Sequence, residues 1–339
     1  MIAAILRDVV KPGEKIAEIY LENVPDPEPD TGEVVVRLKT AALNRRDVYI
    51  RQGLYPKITA PSILGSDGAG MIVKLGEDVQ GMEIGDEVII NPGLDWGDDP
   101  NRPGPGFSVL GMPTDGTYAE YIKISAKSVF PKPKHLTWEE AAALPLGGLT
   151  AYRAVVTKGR VKTGDTVIIP GIGGGVATFA LQIAVAKGAK VYVTSSSNEK
   201  IEKAIKLGAS GGVNYREQNW SKHLKELTGG ADLLIDSIGG EVFPELISLA
   251  NYGARIVSFG ATLGPVKKVV MPRIFFKELT IKGTQLGSDK DFVELIGLYE
   301  KNKIKPVVDS VFSLEQVNDA HKKMESGSQF GKIVLSILS

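Results

Sequence analysis

Apolar, β-branched residues occur along this chain in short runs that stop at glycine or proline, and the clearest is Val167-Ile168-Ile169-Pro170. That run enters the cluster Gly171-Ile172-Gly173-Gly174-Gly175 and leaves it through Val176 to Ala184, where the apolar positions take helical spacing. The alternation then repeats. Strands are predicted over residues 167–170, 190–194, 212–214, 233–236, 255–259 and 280–283, with helices over 177–187, 199–207, 220–227 and 243–249. Such strands alternating with helices specify an α/β arrangement, a doubly wound parallel sheet with crossover helices on its faces. Before about residue 130 the texture differs. Short β-type runs at 33–39 and 86–90 lie between Gly32, Gly85 and Pro92, and residues 92–111 hold enough proline and glycine to read as a long irregular loop. The tail predicts helices over 291–301 and 314–325 and a last strand over 332–335.

A strand, a tight glycine turn and a helix N-terminus together make an anion seat, because small residues let backbone N–H groups approach a pyrophosphate. The strict GxGxxG pattern fails here, since Gly171 and Gly173 put Val176 in its third slot. A spaced reading through Gly171, Gly174 and Ala177 keeps small residues at the turn, the phosphate and the helix–strand contact, with Gly175 and Val176 opening the helix. The alternative is a turn that serves only the fold. At the end of the second strand, where NAD-binding sheets place an acid on the adenosine ribose, the chain has Ser195. Ser195 and Ser196 can donate to a 2′-phosphate, Lys200 can pair with it, and Tyr215-Arg216 can add a flat face and a second cation. These residues point to NADP(H); for Lys200 the alternative is a solvated helix cap. Phe259 and Gly260, ending the fifth strand, are expected against the nicotinamide ribose.

Composition narrows the class. At 339 residues, two domains are expected. Forty basic and forty acidic residues cancel, so neither nucleic acid nor an anionic membrane is an expected partner. No apolar run approaches the ~20 residues of a membrane span. The opening apolar run meets Arg7 and Asp8 too soon for a secretory leader, so a cytoplasmic location is expected. The chain has no cysteine, which excludes disulfides, thiolate nucleophiles and thiolate-held metal. The histidines are His135, His223 and His321, each in a charged, helix-like stretch and expected at the surface.

Several motifs in order carry a family resemblance: Asn44-Arg45-Arg46-Asp47-Val48-Tyr49-Ile50-Arg51-Gln52-Gly53-Leu54-Tyr55-Pro56, Leu64-Gly65-Ser66-Asp67-Gly68-Ala69-Gly70, Glu140-Ala141-Ala142-Ala143-Leu144-Pro145, Leu149-Thr150-Ala151-Tyr152, the glycine turn and Asn214-Tyr215-Arg216. With these the chain resembles the medium-chain dehydrogenase/reductase superfamily, and within it the zinc-independent quinone oxidoreductase branch, over essentially its whole length. The resemblance implies an N-terminal GroES-like β domain over residues 1–147, completed by 285–339, and a Rossmann domain over 148–284, with substrate expected in the crevice between them. Zinc members of the superfamily hold their catalytic metal with a Cys, a His-Glu pair and a later Cys. Against those motifs this chain has Asn44, Ser66-Asp67 and Leu146, and residues 95–110 stand where a structural zinc lobe carries four cysteines. No metal site is therefore expected; Asp95, Asp98 and Asp99 read either as a hard-cation site or as a solvated acidic loop.

Without a Lewis acid to turn an alcohol into an alkoxide, the acceptor must activate itself. Quinones and α,β-unsaturated carbonyls do so, because the arriving charge delocalises onto oxygen. The expected function is hydride transfer from NADPH to such a small molecule. The resemblance assigns Tyr55, Asn44 and Asp47 to the catalytic side: Tyr55 as donor to a substrate oxygen (or as loop packing), Asn44 as a hydrogen-bonding group for cofactor or substrate, and Asp47 as the residue that orients the loop. It assigns Tyr49 and Thr150 to the cofactor, brings Phe330-Gly331-Lys332 near it, and implies a homodimer formed through the 280–283 edge strand. Two other functions stay open, an alcohol dehydrogenase-like enzyme of the same superfamily and a non-catalytic NADPH-binding protein.

Overall fold

A computed structural model describes residues 1–337. The chain divides into two compact units, Met1–Gly147 with Ser288–Ser339, and Gly148–Gly287. Among the described residues no helix is long and apolar enough to cross a membrane.

The second unit is built on a parallel sheet whose strands lie side by side as Gly211–Asn214, Lys190–Ser195, Thr166–Ile169, Ala231–Asp236, Ala250–Ser258 and Thr280–Gly283. Chain order reverses between Thr166–Ile169 and Ala231–Asp236, the switch point of a doubly wound sheet. Val167, Ile168 and Ile169 are buried, as expected where both faces of a sheet are covered and the strand has no polar side. The helix that follows, Gly175–Ala186, buries every residue from Ala177 to Ala184, which explains why it carries no charged stripe. The Ala250–Ser258 strand starts earlier than its apolar pattern predicts. Exposed Tyr252 and the turn-like Gly253, at φ +71°, interrupt the signal.

In the first unit the Glu33–Ala42 strand is central. It pairs antiparallel with Asp67–Leu75, with Tyr121–Ser125 along its first half, and with Lys332–Ser336, which in turn runs parallel to Val308–Ser313. Strands from the C-terminal segment thus extend a sheet begun by the first 75 residues. A smaller sheet joins Ile19–Asn23, Ile2–Leu6 and Ser62–Ile63. Aliphatic side chains including Leu6, Leu38, Leu43, Leu64 and Ile72 form the buried cluster. The 92–111 segment is irregular apart from a short hairpin of Gly93–Leu94 with Ser108–Val109, and it is steadied by Trp96 set edge-on to Phe107, centroids 5.1 Å apart.

One expectation about the tail is overturned. His321, expected at the surface, is fully buried on the Val317–Ser326 helix. The neighbouring lysines make the stretch look solvated, but Val317, Ala320, His321 and Met324 form its inner face at helical spacing. His223 is exposed, and His135 is half-buried with Nε2 2.9 Å from the Ile304 carbonyl. Neither ring nitrogen of His321 has a hydrogen-bond partner among the described residues. Burial, with the Arg51 charge adding to it, holds its imidazole well below the ordinary value of 6.5. The unfolded chain therefore takes up a proton near pH 6.5 that the folded chain refuses. Stability from this group is full above that pH and falls as pH drops through it, by up to about 1.4 kcal/mol per pH unit. Urea unfolding between about pH 7.5 and 5 should show this loss in the wild type and a flatter slope in His321→Leu; equal slopes would remove His321 from the account.

Candidate functional site

Most of the candidate cofactor residues lie at the carboxyl edge of the parallel sheet. Gly171 and Gly173 take φ of +67° and +128°, conformations that side chains other than glycine rarely adopt, and so turn the chain off the Thr166–Ile169 strand. The turn is anchored to the next strand: Ile172 N–H donates to the Thr194 carbonyl at 2.8 Å and Gly171 N–H to Thr194 Oγ1 at 3.2 Å. Gly174 caps the Gly175–Ala186 helix with no side-chain cap bond, and a Cβ added there would meet no atom within 4 Å. Half-buried Gly175 and Val176 open the helix, whose first N–H groups have no acceptor within it.

Beside this turn, Ser195 is buried at the end of its strand and its Oγ accepts the Ser197 N–H at 3.2 Å. Ser197 in turn caps the Asn198–Lys206 helix, where half-buried Lys200 sits in the first turn. Tyr215 N–H donates to the Ser195 carbonyl at 2.9 Å, which puts exposed Tyr215 and Arg216 next to Ser195 and Ser196. The nearest acid along the chain, Glu199, pairs with Lys203 at 2.6 Å. Phe259 follows the fifth strand and its N–H donates to the Asp236 carbonyl at 3.0 Å, with Gly260 beyond it. Sequence reasoning missed Asp236. Its buried carboxylate accepts from Ile238 N–H at 2.9 Å, Gly239 N–H at 3.1 Å and Ser258 Oγ at 3.0 Å, and so shapes the loop at the switch point. An acid closing an apolar strand before Ser-Ile-Gly-Gly was the available signal. Thr150 is buried on the Pro145–Tyr152 helix.

The other candidates belong to the first unit and cluster on the Arg45–Arg51 helix and the turn after it. Asp47 Oδ2 accepts the Asn44 N–H at 2.8 Å and the Tyr118 hydroxyl at 2.8 Å, while its Oδ1 has no partner among the described residues. Burial pushes the Asp47 carboxyl above its ordinary value, with Arg46 and the two donors opposing. Burial also pushes the Tyr118 phenol well above 10, and the Asp47 charge adds to it. Arg46 donates to Ser66 Oγ at 2.6 Å and to the Leu110 carbonyl at 2.7 Å, and its guanidinium lies 4.8 Å over the Tyr55 ring. Tyr49 is half-buried beneath Arg45, 5.6 Å away.

A third group forms where three strands end. Gly65, at φ +96°, presses against Tyr118 so closely that an added Cβ would lie 2.4 Å from the ring; the tight turn delivers Ser66 and Asp67 to the sheet. Asp67 and Val334 both register with Ala42, from opposite sides of the central strand. Asn44, Asp67 and Lys332 therefore converge, although Lys332 is 288 residues from Asn44. Lys332 Nζ donates to Asn44 Oδ1 at 2.7 Å and to Asp67 Oδ2 at 2.8 Å; Asn44 Nδ2 donates to the same Asp67 oxygen at 2.9 Å, and Leu146 N–H donates to Asp67 Oδ1 at 2.7 Å. Lysine can only donate and a carboxylate only accept, so chemistry fixes which way the amide faces. All three side chains are buried.

Comparison with known proteins accounts for both units. Residues 30–134 match the family model described as alcohol dehydrogenase GroES-like domain, and residues 175–301 match that described as zinc-binding dehydrogenase. A solved structure of an NAD-dependent alcohol dehydrogenase superposes with a TM-score of 0.93 at 38% identity, covering 100% of both chains. The acryloyl-coenzyme A reductase of Sulfurisphaera tokodaii is 32% identical over 97% of this chain and 99% of its own. The quinone oxidoreductase of Mus musculus is 30% identical over 91% of this chain and 90% of its own. The chain belongs to the medium-chain dehydrogenase/reductase superfamily. It is an α/β oxidoreductase of that superfamily, with a Rossmann-like sheet and a GroES-like domain.

The description of the second match makes zinc the implied metal for this member of the superfamily, and the residues present do not fit it. Zinc takes thiolate, imidazole or carboxylate. At the positions laid against its ligands stand an amide, a hydroxyl, one carboxylate and a leucine. Both Asp67 oxygens are taken by N–H donors, and an ammonium stands among the acceptors a cation would need. Among the described residues no three histidines or acids gather in a form that could hold an ion. Asp99, in the acidic loop, is engaged by Asn101 and Arg102.

The Asp47 environment yields a stability prediction. Tyr118→Phe leaves the buried Asp47 with one donor fewer and should lower unfolding free energy by about 1.5–3 kcal/mol in urea titrations. A loss under about 0.5 kcal/mol would show that the phenol does not support Asp47.

Proposed function

We propose that this oxidoreductase acts in the cytoplasm and transfers a hydride from NADPH to a quinone or α,β-unsaturated carbonyl without a metal ion. The observation that carries the reading is the bond network of Asp67, which occupies the acceptors a catalytic ion would need. An alcohol donor requires a Lewis acid to become an alkoxide, whereas a conjugated carbonyl accepts a hydride unaided. The acryloyl group in one relative's name is α,β-unsaturated, and quinone stands in another's, which supports the acceptor class.

When bound, the cofactor supplies the hydride. The N–H groups of Gly174, Gly175 and Val176 hold its pyrophosphate beside Gly171. Ser195, Ser196, Lys200, Tyr215 and Arg216 hold the adenosine 2′-phosphate, and no acid at the strand end repels it. Phe259 and Gly260 flank the nicotinamide ribose, and Thr150 and Tyr49 face the nicotinamide. Tyr55, steadied by Arg46, donates to the acceptor, while Asp47 and Asn44 hold the loop that carries it.

The test is steady NADPH consumption with 9,10-phenanthrenequinone or 1,4-benzoquinone by protein shown to be free of zinc. Lys200→Ala and Arg216→Ala should each raise the KM for NADPH about tenfold, the worth of one lost charged hydrogen bond, and leave NADH kinetics within about twofold. A wild-type preference for NADH would overturn the NADPH assignment. Zinc-dependent oxidation of alcohols, or cofactor binding with no turnover, would overturn the reaction.

The same reading includes a homodimer. The Thr280–Gly283 strand is one edge of the sheet, and its Ile281 is exposed. Light scattering should show a wild-type dimer that Ile281→Asp converts to monomer; a monomeric wild type refutes the assignment.

A further inference from the structure

We infer that Lys332 is a catalytic residue: its buried ammonium is the electrophile that receives the negative charge of the reduced acceptor. The inference rests on the hydride-transfer reading above and deepens it. Lys332 has three N–H bonds. Two are spent on Asn44 Oδ1 and Asp67 Oδ2, and the third has no acceptor among the described residues. The side chain is buried to 4% exposure, so its direction is set by packing and by those two bonds. An ammonium held by two acceptors, with one N–H left open, is the organic counterpart of a metal ion with one open coordination position.

The Asp67 carboxylate balances the charge in the resting enzyme, so the cation can be kept out of water without an acceptor bound. Asn44 does not touch the acceptor in this scheme. Its amide bridges cation and carboxylate, and so holds Nζ in place. The Tyr55 phenol donates a neutral hydrogen bond to the same acceptor oxygen, and the Lys332 ammonium adds a charge-assisted one, which is the stronger of the two.

As the hydride bonds to the β-carbon of an enone, the π electrons move onto the carbonyl oxygen. The open N–H of Lys332 donates to that oxyanion and the nitrogen keeps its proton. Water then protonates the enolate, so one hydride and one proton enter the product and the nicotinamide is left oxidised.

The absence of cysteine from the chain makes the test clean. Lys332→Met should lower kcat for 2-cyclohexen-1-one by about 10²-fold or more, the usual effect of losing one oxyanion donor. The Kd for NADPH should stay within about twofold. Lys332→Cys alkylated with 2-bromoethylamine restores an ammonium one sulfur away from native and should recover most of kcat. Because Lys332→Met strands a buried carboxylate, the double variant Lys332→Met with Asp67→Leu controls for folding. It should melt close to wild type and remain about 10²-fold slow. A double variant that turns over at the wild-type rate overturns the inference and reduces Lys332 to a structural counter-ion. So does an alkylated protein that refolds without regaining activity. Wild type inactive on every enone and quinone instead refutes the reaction itself, and this assignment with it.

Discussion

A carboxylate and an ammonium buried side by side govern the first unit of this protein. Taking either charge out of water costs several kcal/mol, and their attraction offsets that cost only where the remaining donors and acceptors are also satisfied. Asp67 meets the condition: Lys332, Asn44 and the Leu146 N–H occupy both its oxygens. The partner comes from the last strand of the chain, so the sheet begun by the N-terminal residues has a compensated centre only when the C-terminal segment docks. Charge pairing and strand pairing therefore enforce one another, with register to Ala42 on both sides of the central strand.

Around that pair the polar groups form a graded set. Asp47 has two donors and one orphaned oxygen, and burial raises its pKa; Tyr118 is shared between it and the turn at Gly65. Arg46 spreads its donors over Ser66 and the loop carbonyls while stacking on Tyr55. His321 lies behind Tyr118, ring centroids 6.1 Å apart, and is held neutral. Networks of this kind are costly when half satisfied, and Asp47 Oδ1 and the His321 ring are the points in this network where a buried polar atom goes without a partner among the described residues. The second unit has a simpler economy of apolar strands and a sheet edge of backbone N–H groups, hydroxyls and one buried carboxylate, Asp236.

The second unit was largely legible in the sequence. Its strands are apolar runs stopped by glycine, and its helices differ from them in period, so placement needed only local pattern. The errors there have local causes, as at Tyr252 and Gly253, where an exposed ring and a left-handed glycine hide the start of a strand. The tail read less well. His321 sits among lysines in sequence but on the opposite face of its helix, and facing depends on what packs against the helix. The resemblance brought Lys332 near the cofactor, but no spacing rule could join it to Asn44 and Asp67.

Residue types and their local order were enough for the α/β class, the glycine turn at the head of the first Rossmann helix, a serine in place of an acid at the end of the second strand, and the lack of the superfamily's zinc ligands. Each of these depends on residue type and neighbours within a turn or a strand. Tertiary structure alone decided that an ammonium stands beside Asn44 and Asp67, that Asp47 takes its donors from Asn44 and Tyr118, and that a histidine among lysines is buried. Those outcomes join residues up to 288 positions apart, and a hydrogen bond between such residues is set by sheet register and helix facing, which local sequence does not encode.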